Sequence, residues 1–135
     1  MFERIFRPQI INTDIPGFKS PEQLRVLSKL VSKLHPFSNI VEVGACAGRA
    51  TWTLSKNAPW FSKIYAIDTW ADKNVFYGVG FNLEPEKQST REYFLEQVHD
   101  RKNIIPIQED ASQVSIDFKI DFLFIDSDMG RGRNN

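Results

Sequence analysis

Residues 40–51 read Ile-Val-Glu-Val-Gly-Ala-Cys-Ala-Gly-Arg-Ala-Thr, and this run constrains the fold more than any other. An apolar stretch carries one acid, Glu42, then meets Gly44 and Gly48 and closes on Thr51. A second apolar run, Ile64-Tyr65-Ala66-Ile67-Asp68, follows and also ends in an acid. Short apolar runs bounded by glycine and acid read as buried strands. A strand that stops at a glycine turn, opens a helix and returns to a second strand ending in Asp is a βαβ unit of the kind that holds a nucleotide cofactor.

The rest of the chain extends that unit. Ser20-Pro21-Glu22-Gln23 is a helix start, with Ser as cap, Pro in the first turn and Gln three residues after the cap. Leu24, Leu27, Leu30, Val31 and Leu34 then fall on one helical face, and Pro36 ends the helix. His35, beside that proline, reads as a C-terminal cap. Strands are predicted at 39–43, 63–67, 103–107 and 121–125, with helices at 49–57 and 89–100. Residues 69–87 carry Gly78, Gly80 and Pro85 without a period, and read as a long loop able to cover a site. The fourth strand, nearly all apolar, reads as covered on both faces. Alternation of this kind predicts an α/β fold: a Rossmann-like parallel sheet with helices on both faces. Pro106 cannot donate to a ladder, so strand three belongs at an edge, and the order 3-2-1-4 puts it there.

Length and composition fit one soluble domain: 135 residues, 41% hydrophobic and 25% charged. The formal net charge is zero, so nothing points to a general nucleic-acid partner or a membrane surface. A single cysteine, Cys46, and no signal-peptide pattern suggest a reducing, cytoplasmic setting.

Each candidate site residue has a plain structural reading beside the functional one. Gly44 and Gly48 either admit a ligand to the helix start or simply turn the chain. Glu42 favours the ligand, because a carboxylate within a buried strand is costly without a partner. It also argues against a dinucleotide, since Ala47 stands where the dense glycine turn for a pyrophosphate needs a third glycine. Asp68 at a strand tip suits the two hydroxyls of a ribose, and is otherwise a turn residue. Trp70 either covers an adenine face or belongs to the core. Asp126 and Asp128 either hold a hard cation through oxygen or form a solvated acidic turn. Cys46 reads as a small turn residue, with no His near it in sequence.

Taken together these motifs resemble a family. Glu42-Val-Gly44-Ala-Cys-Ala-Gly48-Arg-Ala-Thr51 is similar to the first motif of class I S-adenosylmethionine-dependent methyltransferases. Ala66-Ile67-Asp68-Thr69-Trp70 resembles the second motif of their macrocin- and catechol-type O-methyltransferase subgroup, and Asp121-Phe-Leu-Phe-Ile-Asp126-Ser-Asp128 its fourth. Ile15-Pro-Gly-Phe18 and the Ser20 helix also sit where that subgroup has them, so the resemblance spans about residues 15–129.

The resemblance implies S-adenosyl-L-methionine as cofactor. Glu42, Gly44, Ala45, Gly48 and Thr51 would form the first-motif turn, with Glu42 and Gly44 near the methionine part. Asp68, with Thr69 and Trp70, would hold the ribose side, and Asp110 with Ala111 would meet the adenine. Asp126 would face the methyl-transfer centre as the catalytic residue, and in metal-dependent relatives it is a Mg²⁺ ligand, with Asp128 as a second acid. The implied reaction is methyl transfer to the oxygen of a small-molecule or sugar hydroxyl.

Two features depart from the family pattern. Met129 stands where the subgroup has His. The family fold has seven strands, whereas the pattern here runs to four and then to Gly130-Arg-Gly-Arg-Asn-Asn135, which reads as a disordered tail. The chain therefore reads as a 1–19 arm, a 20–129 cofactor-binding domain lacking the last three strands, and a 130–135 tail. Its apolar fourth strand, left at an edge, invites self-association. Three rivals stay open: a nicotinamide-dependent Rossmann oxidoreductase, a non-catalytic half-domain that pairs with another chain, and an inactive truncated fragment.

Overall fold

The computed structural model describes residues 9–71 and 90–126. The loop expected at 69–87, with Asp72, Lys73, Tyr77 and Phe81, therefore lies outside the described residues from 72 on, as do Asp128, Met129 and the expected tail.

Helix α1 (Pro21–Ser32) starts as its sequence requires. The Gln23 amide donates to the Ser20 hydroxyl at 3.2 Å, and the Ser20 amide donates to the Gln23 side chain at 2.9 Å. This reciprocal cap satisfies two amides that the first turn leaves over. Leu24, Leu27, Ser28 and Val31 form the buried stripe. Leu30 departs from expectation and is 46% exposed, because it is one step, about 100°, round the helix from Val31. The helix also ends before His35: Lys33 is its C-cap, and His35 instead faces Asp121 with Nε2 at 3.3 Å.

Strand β1 (Asn39–Val43), helix α2 (Arg49–Asn57) and strand β2 (Lys63–Asp68) make the βαβ unit. Helix α3 (Thr90–Gln97), strand β3 (Ile104–Gln108), a single 3-10 turn (Ala111–Gln113) and strand β4 (Phe122–Ile125) follow. All strand pairs are parallel and the order is β3-β2-β1-β4, as expected. Pro106 lies in β3 at one edge, where its missing N–H costs the ladder nothing.

The register positions the site. Glu42 is level with Ala66 on β2 and Phe124 on β4. Side chains alternate along a strand, so Ile40 and Glu42 share a face with Ile64, Ala66 and Asp68, and with Phe122, Phe124 and Asp126. Against this face pack Leu24, Leu27 and Val31 of α1 and Ala50 and Leu54 of α2. Trp52 and Phe94, with Val98, extend the same core over Ala66. On the opposite face, for which the sequence also predicts helices, Val41 and Ile67 are buried. Tyr65 there stacks on Phe118, with ring centroids 4.4 Å apart. Strand β4 is thus covered on one side: Phe122 and Phe124 join the core, while Leu123 and Ile125 are 50% and 63% exposed. The expectation that this strand is covered on both faces is corrected among the described residues.

Candidate functional site

The turn between β1 and α2 is held by its own amides. Gly44 (φ 92°) and Gly48 (φ 100°) take left-handed conformations, and Cys46 (φ 53°) joins them at a cost a glycine would avoid. The Gly44 and Ala45 amides donate to the Ile67 carbonyl at 2.8 and 3.4 Å, and the Gly48 amide donates to the Ala45 carbonyl at 3.0 Å. The Cys46 amide donates to Asp68 Oδ2 at 2.8 Å, while the Trp70 amide takes Asp68 Oδ1 at 2.8 Å. Asp68 therefore ties the glycine turn to the end of β2. Burial and the Asp68 carboxylate push the Cys46 thiol up to about 12, so it is a neutral turn residue and no nucleophile at neutral pH.

Three acids stand at the C-terminal ends of adjacent strands on the helix-bearing face: Asp68, Glu42 and Asp126. Glu42 is 1% exposed and accepts from the Thr51 hydroxyl, its one hydrogen bond among the described residues. Burial is the main cause that raises its carboxyl to about 8; Asp126 and Asp68 add to the rise, against the Thr51 hydrogen bond and Lys19. At neutral pH the group is thus mostly a neutral acid, able to donate as well as accept.

Above Glu42 lies a small hollow, half open to solvent. Its floor is Glu42, Gly44, Ala45, Cys46 and Ala47, and Asp126 closes one side. The other wall is the arm, Pro16 to Lys19. Arg49 fixes that arm by donating to the carbonyls of Ile15, Lys19 and Thr13, the last two at 2.8 and 2.7 Å. Lys19 Nζ reaches back to Asp126 Oδ1 at 3.1 Å.

The structure divides the expected site residues into groups. Glu42, Gly44, Ala45 and Asp126 line the hollow. Thr51 stands behind Glu42 as its hydrogen-bond partner, and Asp68 stands behind Cys46. Gly48 also serves packing: a Cβ there would lie 2.6 Å from Val98 and 3.2 Å from Phe94, so its bareness admits these side chains. Trp70, left open by the sequence, is a core residue, 6% exposed and tilted on Phe94, with its indole N–H on the Cys46 carbonyl. Thr69, Asp110 and Ala111 are exposed at the tips of β2 and β3, away from the hollow's lining. Asp110 accepts from the Ser112 amide and hydroxyl, which hold its carboxyl below the usual range.

Sequence reasoning missed Lys19 and the stapling role of Arg49. Neither has a periodic signal; the hint was only that the arm occupies a position familiar from the resemblance. For a metal, the described residues hold no group of three or more His, Cys, Asp or Glu able to bind one, and Asp126 is paired with Lys19. Mg²⁺ has no support from the described residues.

The chemistry of the donor set can be set against each cofactor class. A pyrophosphate needs free amides at the glycine turn, and here those of Gly44, Ala45, Cys46 and Gly48 are committed within the protein. A protonated carboxyl in the floor can exchange hydrogen bonds with amine and hydroxyl groups, and the Asp126 carboxylate at the side suits a cationic one.

No family model matches the chain, and no curated protein matches it. Solved structures do. A proposed O-methyltransferase from Klebsiella pneumoniae aligns at TM-score 0.56 and 18% identity, over 87% of this chain and 47% of that one. A precorrin 8W decarboxylase from Methanobacterium thermoautotrophicum aligns at 0.52 and 20% identity, over 90% and 56%. A SAM-dependent methyltransferase from Aquifex aeolicus aligns at 0.51 and 23% identity, over 78% and 51%. The chain spans about half the length of these structures. Over that span it has the α/β Rossmann-like fold found in SAM-dependent methyltransferases.

Proposed function

We propose that the chain carries the S-adenosylmethionine-binding portion of a class I methyltransferase, one that transfers a methyl group to the oxygen of a small-molecule or sugar hydroxyl. The observation that carries this reading is the hollow itself, floored by buried Glu42 at a turn whose amides are already committed. A turn without amides to spare for a pyrophosphate, with the Asp126 carboxylate beside it, favours a ligand bearing an amine and a sulfonium, which sets the reading above a nicotinamide-dependent oxidoreductase. Glu42 and Gly44 would hold the methionine part, and Asp68 the ribose hydroxyls through the lone pairs its two amide contacts leave over. The cofactor would supply the electrophilic methyl group; the chain's part is to orient it and to hold charge near Asp126.

Calorimetric titration tests the reading. S-adenosylhomocysteine should bind and NADH should not, and Asp68→Asn should weaken S-adenosylhomocysteine roughly ten- to hundredfold, the size of a lost hydrogen bond to a charged group. Binding of NADH in place of S-adenosylhomocysteine would sink it.

A second reading is favoured by β4. Its exposed Leu123 and Ile125 lie at a sheet edge, where unpaired backbone groups recruit another strand. In that reading the chain pairs through β4 with a second copy. Sedimentation at low and high concentration tests it, and a strict monomer throughout counts against it.

A further inference from the structure

Lys19 is the wall residue whose charge faces the carboxyl floor. Its ammonium lies 3.1 Å from Asp126 Oδ1 and 5.8 Å from the centre of the Phe124 ring. The side chain projects from a fixed backbone. The Lys19 carbonyl accepts from Arg49 Nη1 at 2.8 Å, and Gly17 sits so close to α2 that a Cβ there would approach Arg49 Cβ to 2.9 Å. The acids near the ammonium come from two strands. Asp126 pairs with it from the end of β4, and the Glu42 carboxyl of β1 feels its charge. Arg49 of α2, the other cation lining the hollow, spends its guanidinium on the arm's carbonyls. Arg49 keeps its charge but points it at the arm, so Lys19 is the cation seen to contact a carboxylate of the hollow.

We propose that Lys19 is a built-in counter-cation that sets the preference of the hollow between charged and neutral forms of its ligand. Its ammonium beside Asp126 disfavours a sulfonium relative to the thioether left after methyl transfer. The inference rests on the reading of the hollow as an S-adenosylmethionine site. The two ligands differ by one methyl group and one positive charge. A sulfonium brought to these acids must share them with the ammonium and is repelled by it, whereas the thioether feels no such charge. The same repulsion eases methyl departure, since transfer discharges the sulfonium.

The experiment is calorimetric titration of the full chain with S-adenosylmethionine and with S-adenosylhomocysteine. Wild type is compared with Lys19→Met, Lys19→Gln and Lys19→Arg, with melting temperatures taken in the same buffers. The two neutral variants guard against one of them failing to fold. Both should shift the affinity ratio toward S-adenosylmethionine by about five- to tenfold, the size of one unit-charge repulsion at about 4 Å in a water-like dielectric, while Lys19→Arg keeps the wild-type ratio. The shift should shrink as salt is raised. An unchanged ratio in a folded neutral variant that still binds S-adenosylhomocysteine overturns the role of Lys19 and leaves the cofactor reading standing. Failure of wild type to bind either ligand overturns both.

Discussion

The two faces of the sheet are built to different standards. On the helix-bearing face Ile40, Ile64 and Ala66 are fully buried, and three helices close over them. On the other face Val41 and Ile67 are also buried and the ring of Tyr65 is met by Phe118, but at the β4 edge Leu123 and Ile125 are half exposed or more. All three site acids stand on the covered face. A carboxyl group feels burial only where packing excludes water, so a perturbed acid such as Glu42 requires the well-packed side. The site is thus a product of the core beneath it, and the opposite face, open along β4, contributes strands and no site acid.

Substitutions on each face can break that contrast. The largest loss is expected for Phe94→Ala, which removes a fully buried ring packed between Trp70 and Gly48. It should cost about 3–5 kcal/mol, read by denaturant unfolding.

Glu42 supplies the next effect, through pH. Its folded carboxyl, near 8, lies above the usual 4.5. The folded chain therefore keeps a proton that the unfolded chain has released, and the stability tied to that proton is present at low pH and lost as pH rises through this window. The loss is up to about 1.4 kcal/mol per pH unit. Glu42→Gln should flatten that slope in a melting series from pH 5 to 8; equal slopes in both proteins would show that Glu42 is not held as a buried acid.

Gly48→Ala should cost about 1–3 kcal/mol, through overpacking against Val98 and a left-handed φ. Leu123→Ser, on the exposed side of β4, should change stability by no more than about 0.5 kcal/mol and raise solubility. A loss of several kcal/mol there would mean that the β4 edge is covered in solution.

Much of the frame was legible before any coordinate. The strand order followed from alternation and from Pro106, and the α1 cap from Ser20 and Gln23, because these are local rules with one good solution. Glu42 was legible because an acid inside an apolar strand demands a reason. What was not legible depended on contacts distant in sequence. Gly48 reads as a ligand-facing glycine, and nothing near it in sequence shows that Phe94 and Val98, far along the chain, also need its bareness. Trp70 had two readings until Phe94 supplied the ring it packs on. Lys19 carried no pattern, since one cation on an irregular arm looks like any surface lysine. The covering of β4 was misjudged because an all-apolar strand does not say which of its faces has a partner.

The staple at Arg49 has a consequence for how freely the arm can vary. The guanidinium grips the arm by backbone carbonyls, which every residue type offers. Thr13 and Lys19 could be exchanged without loosening the grip itself, whereas Ile15 is buried in the core and Gly17 has no room for a side chain without displacing Arg49. One arginine thus decouples the shape of the wall from most of its spelling. The wall can drift in sequence, and adopt other charges at Lys19, while the hollow keeps its outline.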